Sequence, residues 1–185
     1  MTATGPTAAA MLELIRTRRV TRNMSARPVE RQLLEAVLEA GRWSPVGGNQ
    51  RVIRFVAVDE PRLLRQIRMM SPGMMQEPTA LIVLCLDAVA VAANESSPGD
   101  IAPKLDLGAA MQTMMLAAHA LGIASGPVTS FAKAGVRVIL NLPDRLSPEV
   151  IVTLGYRGEG AGLVMASGRG RTTWQSLTDW GRFPG

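Results

Sequence analysis

The chain has 185 residues, 47% of them apolar and 19% charged, with 20 Lys and Arg against 15 Asp and Glu for a formal net charge of +5. Such a length predicts one domain with a full hydrophobic core, and the balance of residue types excludes a disordered chain. With 1 cysteine and 1 histidine, an intrachain disulfide framework and a cluster at zinc-ligand spacing are both excluded, so no metal site is expected.

The amino-terminal MTATGPTAAAM lacks the basic start and apolar run of a secretion signal, and a cytoplasmic protein is expected. Thr7 is placed to cap a first helix carrying Ala8, Met11, Leu12 and Ile15 at helical spacing, which ends in the basic run RTRRVTR, 16–22. After Pro28, the positions Leu33, Leu34, Val37 and Leu38 predict the buried stripe of a second helix closed by Gly41. SPVGGNQ, 44–50, reads as a loop by its proline and paired glycines, and RVIRFVAV after it as a strand. A short helix is predicted over Arg62–Arg68, with Pro61 suited to its first turn. The unbroken apolar run Thr79–Leu86 predicts a strand covered on both faces, and Cys85 inside it an inert buried thiol.

Asn94–Pro103 reads as a polar connection. KLDLGAAMQTMMLAAHALG, 104–122, predicts a central helix, apolar around most of its circumference and therefore buried on several sides, with small residues open to close approach by a second backbone. His119 in it reads as a satisfied core histidine. Leu107–Phe131 has no formal charge and is long enough to span a bilayer. Gln112, Thr113, His119, Ser125, Pro127 and Ser130 make it a poor spanning segment, and no membrane association is expected. GPVTSF, 126–131, reads as a tight irregular turn, Ala134–Leu140 as a short helix and Glu149–Gly155 as a strand. The tail from Gly158 is too sparse in apolar periodicity for a core of its own and must lie on something.

A serine hydrolase elbow GxSxG is absent, and GEGAG at 158–162 has the wrong spacing for a dinucleotide loop. What remains are two arginine pairs separated by most of the chain, Arg18 with Arg22 and Arg169 with Arg171. Guanidinium forks suit a phosphate dianion, and each charge-assisted bond is worth about 1.5 to 3 kcal/mol. The bland alternative for each is an ordinary solvated arginine.

The order RRVTR (18–22), SPVGGNQ (44–50), the central helix, GIASGPVTSF (122–131), VTLGY (152–156) and RGR (169–171) resembles the FMN-dependent nitroreductase family over nearly the whole chain. The resemblance implies an α+β fold with a mixed, mostly antiparallel sheet flanked by helices, and an intertwined homodimer with FMN at its interface. It implies one domain over 1–185 whose residues 158–185 form an extended carboxy-terminal arm. By position, Arg18, Arg19, Val20 and Arg22 match the first phosphate and ribityl segment, and Arg169 with Arg171 the second. Pro45, Val46, Gly47 and Asn49 match a loop that reaches the flavin from the partner subunit. Pro127, Val128, Thr129 and Ser130 match the turn against the flavin ring, where a backbone N–H near Thr129 serves as donor to N5. Several departures stand out: the family usually has serine where Val20 and Val46 stand, a glutamine, proline and tryptophan often follow the asparagine loop where this chain has Arg51, Val52 and Ile53, and some members place a lysine at about Met74.

The implied activity is hydride transfer from NADH or NADPH through flavin N5 to a nitroaromatic, quinone or similar small-molecule acceptor, with no catalytic side chain required. SPG at 71–73, GPVTSF and the terminal Trp180–Gly181 are also similar to the catalytic subunit of cyclic dipeptide oxidases. That branch implies hydride removal from an organic substrate, with electrons passed to oxygen, and a small second subunit. A basic module using RTRRVTR on nucleic acid is the non-enzymatic rival. The few aromatics, 3 Trp, 1 Tyr and 3 Phe, disfavour a base-stacking surface, so no nucleic-acid partner is expected.

Overall fold

The computed structural model describes residues 6–94, 101–159 and 173–182. The elements run α1 (Pro6–Thr17), α2 (Arg31–Arg42), β1 (Ile53–Val58), α3 (Pro61–Met69), β2 (Ala80–Asp87), α4 (Ala88–Ala93), α5 (Ala102–Ala120), β3 (Ala124–Val128), α6 (Lys133–Ile139) and β4 (Leu146–Gly155). The four strands form one antiparallel sheet in the order β1-β2-β4-β3. Among the described residues no helix is long and apolar enough to cross a membrane.

The sheet is covered on both faces. One core places Ile82 and Leu84 of β2 and Val150, Val152 and Leu154 of β4 against α2 and α5. The other places Leu81, Val83 and Cys85 of β2 with Ile151 of β4 against α3 and α6. Alternate residues of the same strand therefore enter opposite cores, which is why β2 has no polar face and reads as an unbroken apolar run. Cys85 is fully buried as expected, and burial, with a smaller contribution from Glu149, pushes its thiol up to about 11. Helix α5 buries Leu107, Ala110, Met114, Met115 and Ala118. Its approach to α2 is close at Gly41, where an added Cβ would lie 2.9 Å from Met114 Cγ. The burial of α5 is less complete than its sequence suggests: Leu105 is 61% exposed, and a Cβ on Gly108 would meet no atom within 4 Å.

Three boundaries depart from the sequence expectations. The stretch read as an irregular turn begins as β3, because an edge strand loses no ladder bond through Pro127 and tolerates Gly126. Strand β4 extends back past Pro148 to Leu146: the register with β2 slips between Leu84 and Cys85, so that Glu149 is the extra residue of a bulge beside the missing N–H of Pro148. Asp87 starts the unforeseen α4 by accepting from Val89 N at 3.2 Å and Ala90 N at 3.4 Å. Smaller shifts occur elsewhere. Helix α1 begins at Pro6, placing Thr7 inside it, and α5 begins at Ala102.

Strand β1 is an edge. The Val52 carbonyl accepts from Asp87 N at 2.8 Å, so Val52 C=O points at β2 and the carbonyls of Arg51 and Ile53 point outward. Arg54 Nη1 donates to both, at 2.8 and 3.1 Å.

Candidate functional site

The basic run after α1 is laid along the open edge of β3. Arg18 N closes the last helical turn onto Leu14 O at 3.1 Å; Val20 then bridges in parallel to Ser125, and Thr21 N donates to Ser125 O at 3.3 Å. Met24 pairs with Arg157 beyond the end of β4. RRVTR and GIASGPVTSF, remote in sequence, are thereby joined by backbone pairing at Ser125.

An extended segment sends successive side chains to opposite sides. Val20 lies over Gly126, whose added Cβ would sit 3.1 Å from Val20 Cγ1, 2.6 Å from Gln76 Nε2 and 3.4 Å from Thr153 Oγ1. Only glycine allows this approach. Gln76 is buried at 3% exposure, and its Oε1 has no hydrogen-bond partner among the described residues. The loop carrying it is tied to the turn after β3: Gly73 N donates to Ser130 O at 3.0 Å and Ala132 N to Met70 O at 2.7 Å. The β3–β4 pairing ends at Val128, so the amide of Thr129 lies beyond the ladder, on an exposed residue. Val128 sends its side chain into the core with α3 and α6, while Pro127 is half-buried and Ser130 exposed.

On the other side of the run, Arg19 and Thr21 line a cavity of about 210 Å³ with His119, Gly122, Ile123, Ala124, Ser125 and Arg157. Arg19 Nη1 donates to the carbonyls of Arg16 and of Arg18, the latter at 2.9 Å, so it is fixed by the end of α1. His119 is half-buried here rather than enclosed in the core, and its Nε2 lies 3.0 Å from Thr17 Oγ1. Burial first, and then the guanidiniums of Arg18, Arg157 and Arg19, lower the pKa of its imidazole below the ordinary histidine value. Thr21 and Ser125 are polar residues only 7% and 2% exposed. Sequence reasoning missed Thr21, Ser125, His119 and Arg157 as lining residues. The period of two through Arg19, Val20 and Thr21 was the available signal for the first of them.

The SPVGGNQ loop is anchored elsewhere. Ser44 Oγ donates to Gly41 O at 2.7 Å, and Gly47 N donates to both oxygens of Asp106 in α5, at 3.1 and 3.0 Å. Gly47–Asn49 is a 3-10 turn, with Gly48 in the left-handed region at φ 58°. Pro45 is exposed and Val46 half-buried, beside a second cavity of about 170 Å³ lined by Arg42, Ser44, Arg51, Arg54 and Phe55. Of the arginines singled out, Arg18 is half-buried and Arg22 exposed; Arg169 and Arg171 lie outside the described residues. The described part of the tail, 173–182, is exposed throughout, with Trp174 at 60% and Trp180 at 83%.

An antiparallel four-stranded sheet between two helical layers, with the segment after the first helix bound to the sheet edge, is the α+β architecture of the nitroreductase type. The family model described as Nitroreductase family matches residues 15–80 and 70–156. The chain belongs to that family and is an oxidoreductase. A protein of Methanothermobacter thermautotrophicus, provisionally named an NADH dehydrogenase/NAD(P)H nitroreductase, is 28% identical over 159 residues, 82% of this chain and 80% of its own. A nitroreductase family protein of Clostridium difficile 630 superposes with a TM-score of 0.79 at 26% identity, covering 93% of this chain and 98% of its own. An FMN-dependent nitroreductase from Clostridium difficile R20291 has the same fold, with a TM-score of 0.77 at 20% identity over 93% of this chain and 99% of its own.

Proposed function

We propose that the protein is an FMN-dependent homodimer that takes hydride from NADH or NADPH and delivers it to a nitroaromatic, quinone or similar acceptor. The observation that carries this reading is the pairing of Val20 with Ser125, which joins the basic run to the segment ending at Thr129. The residues present fit such a cofactor: guanidiniums cluster at a cavity that also holds buried hydroxyls, and Gly126 keeps the neighbouring backbone free of a side chain. Arg18, Arg19 and Arg22, with Arg169 and Arg171, are assigned to the phosphate and ribityl end, and Val20 contributes backbone only. Pro127, Val128, Thr129 and Ser130 are assigned to the ring. The Thr129 amide, past the end of the ladder, is a donor that is fixed in place and does not titrate. Bound FMN would supply reversible hydride acceptance at its N5. The protein's part is to hold ring and reactant in register and to exclude water.

The loop carrying Pro45, Val46, Gly47 and Asn49 is held to α2 and α5, and is assigned to the flavin bound by a second copy. Support for a second copy comes from apolar surface that the described residues leave uncovered: Met11 at 52%, Leu12 and Ile15 at 47% on α1, and Trp174 and Trp180 in the tail. Residues 158–185 are read as an arm lying on that partner.

The purified protein should be yellow, bleach on anaerobic addition of NADPH, and regain colour with a nitro compound. Colourless protein that neither binds nor reduces added FMN would refute the reading. Oxygen consumption with a cyclic dipeptide and no nicotinamide would make it a flavin-dependent oxidase instead.

A further inference from the structure

We propose that the cavity between the end of α2 and the start of β1 receives the adenosine 2′-phosphate end of NADPH, and that Arg51 makes the protein select NADPH over NADH. This deepens the flavin reading by naming the donor, and it rests on that reading for the hydride chemistry. No bond changes at the cavity, which is a place of recognition and not of reaction.

The cavity, of about 170 Å³, has apolar walls from Val46, Ile53 and Phe55 and three guanidiniums, those of Arg42, Arg51 and Arg54. An adenine ring is apolar on its faces and a 2′-phosphate is an anion, so the two kinds of wall suit the two parts of one ligand. Two of the arginines are already committed. Arg42 donates to both oxygens of Glu39, at 2.8 and 2.6 Å, and its guanidinium lies 4.4 Å from the centre of the Trp43 ring. Trp43 Nε1 donates to the same carboxylate at 2.8 Å, which fixes Arg42 and Trp43 together. Arg54 is spent on the carbonyls of Arg51 and Ile53, with Asp87 3.9 Å from its Nη2. Arg51 differs. Its backbone is held by Arg54, but its exposed side chain makes neither a hydrogen bond nor an ion pair among the described residues. A fixed rim with one uncommitted guanidinium loses little freedom when an anion arrives.

Position favours the donor over the acceptor. Val46 belongs to the loop assigned to the flavin of a second copy, and Gly47 N ties that loop to Asp106 at 3.1 and 3.0 Å, so the cavity stands beside it on a fixed support. A dinucleotide with its nicotinamide on the flavin must place its adenosine to one side, whereas a small acceptor has no need of a second anchor. A guanidinium fork takes two phosphate oxygens at once, which the 2′-hydroxyl of NADH does not offer. The charge is this chain's own: the family often has glutamine where Arg51 stands, so a preference set here is not one that relatives with glutamine share.

The experiment uses the full-length protein saturated with FMN and one fixed quinone acceptor. Steady-state rates with each nicotinamide give KM and kcat, while calorimetry with adenosine 2′,5′-bisphosphate, adenosine 5′-monophosphate or inorganic phosphate reads the cavity without turnover. KM should be about tenfold or more lower for NADPH than for NADH, and only the bisphosphate should bind tightly. Arg51→Gln should raise the NADPH KM about tenfold, weaken the bisphosphate by a similar factor, and leave kcat and both NADH constants unchanged. Arg51→Lys should restore part of each loss. Equal KM for the two nicotinamides in wild type, or a preference that survives Arg51→Gln, would overturn the assignment and leave the flavin reading standing. Inorganic phosphate binding as tightly as the bisphosphate would overturn it too, by making the cavity a simple anion site. If neither nicotinamide reduces the flavin while the bisphosphate still binds through Arg51, the hydride-donor reading fails and adenosine phosphate recognition stands.

Discussion

Replacing Gly126 with alanine tests whether the basic run is seated as closely on β3 as the geometry shows. The new methyl would lie 2.6 Å from Gln76 Nε2 and 3.1 Å from Val20 Cγ1. Val20 is 37% exposed and can yield, whereas the Gln76 amide is buried at 3% and has no open space to enter. Overpacking of this kind costs about 1–3 kcal/mol, partly offset by the roughly 0.4–1 kcal/mol that alanine contributes by restricting the unfolded chain. The net expectation is a loss of about 1–2 kcal/mol, or about 3–6 °C in Tm for a chain of this size. In a Gln76→Ala background the tighter contact is gone, and the same substitution should cost less than about 0.5 kcal/mol, giving a coupling near 1 kcal/mol. Urea denaturation of the four proteins at one fixed protein concentration measures this cycle. Equal cost of Gly126→Ala in both backgrounds, or no cost in either, would refute the close approach of Gln76 to β3.

Asp106→Ala removes the acceptor held by Gly47 N and should speed amide hydrogen exchange at Gly47 and Gly48, with a stability loss of about 1 kcal/mol and little change in exchange through β2. Unchanged protection in the loop would show that it is held by something else. The hydrogen bond from Tyr156, followed by that from Arg27, brings the Glu30 carboxyl down to about 2. Because the folded value lies below the unfolded one, this stabilisation is present above about pH 4.5 and fades as pH falls toward 2. Wild type and Glu30→Gln should therefore differ in urea midpoint near neutrality and converge in acid; a gap independent of pH would contradict it. Cys85, buried and with its thiol raised to about 11, should resist a disulfide reagent at mildly alkaline pH until denaturant is added. Fast native-state labelling would show that the sheet opens locally at β2.

What could be read in the chain was what repeats at a fixed period or sits in a fixed order. The apolar run of β2, the stripe of α2 and the uninterrupted α5 declared their type because each side of the element meets a core. Elements whose form depends on position in the sheet did not. Gly126 and Pro127 read locally as a turn, and only the edge location of β3 makes them acceptable in a strand. Pro148 likewise reads as a stop, yet the one-residue slip against Cys85 carries β4 through it. The motif order pointed to the segments of the candidate site, while its basic cavity stayed hidden. Thr21, Ser125, His119 and Arg157 come from four separate stretches, and although Thr21 and Ser125 sit inside RRVTR and GIASGPVTSF, nothing in the chain shows the four to be neighbours until Val20 meets Ser125. His119 looked like core because its helix is apolar nearly all round, but it stands where α5 ends and the sheet edge begins.

The outward carbonyls of Arg51 and Ile53 are already occupied by the guanidinium of Arg54. A visiting strand would thus have to share or displace that guanidinium to register at the entrance to β1, which makes this edge a poorer template for stacking sheet upon sheet. One arginine therefore serves as a doorstop, sparing the apolar ladder behind it from becoming the seed of a fibre.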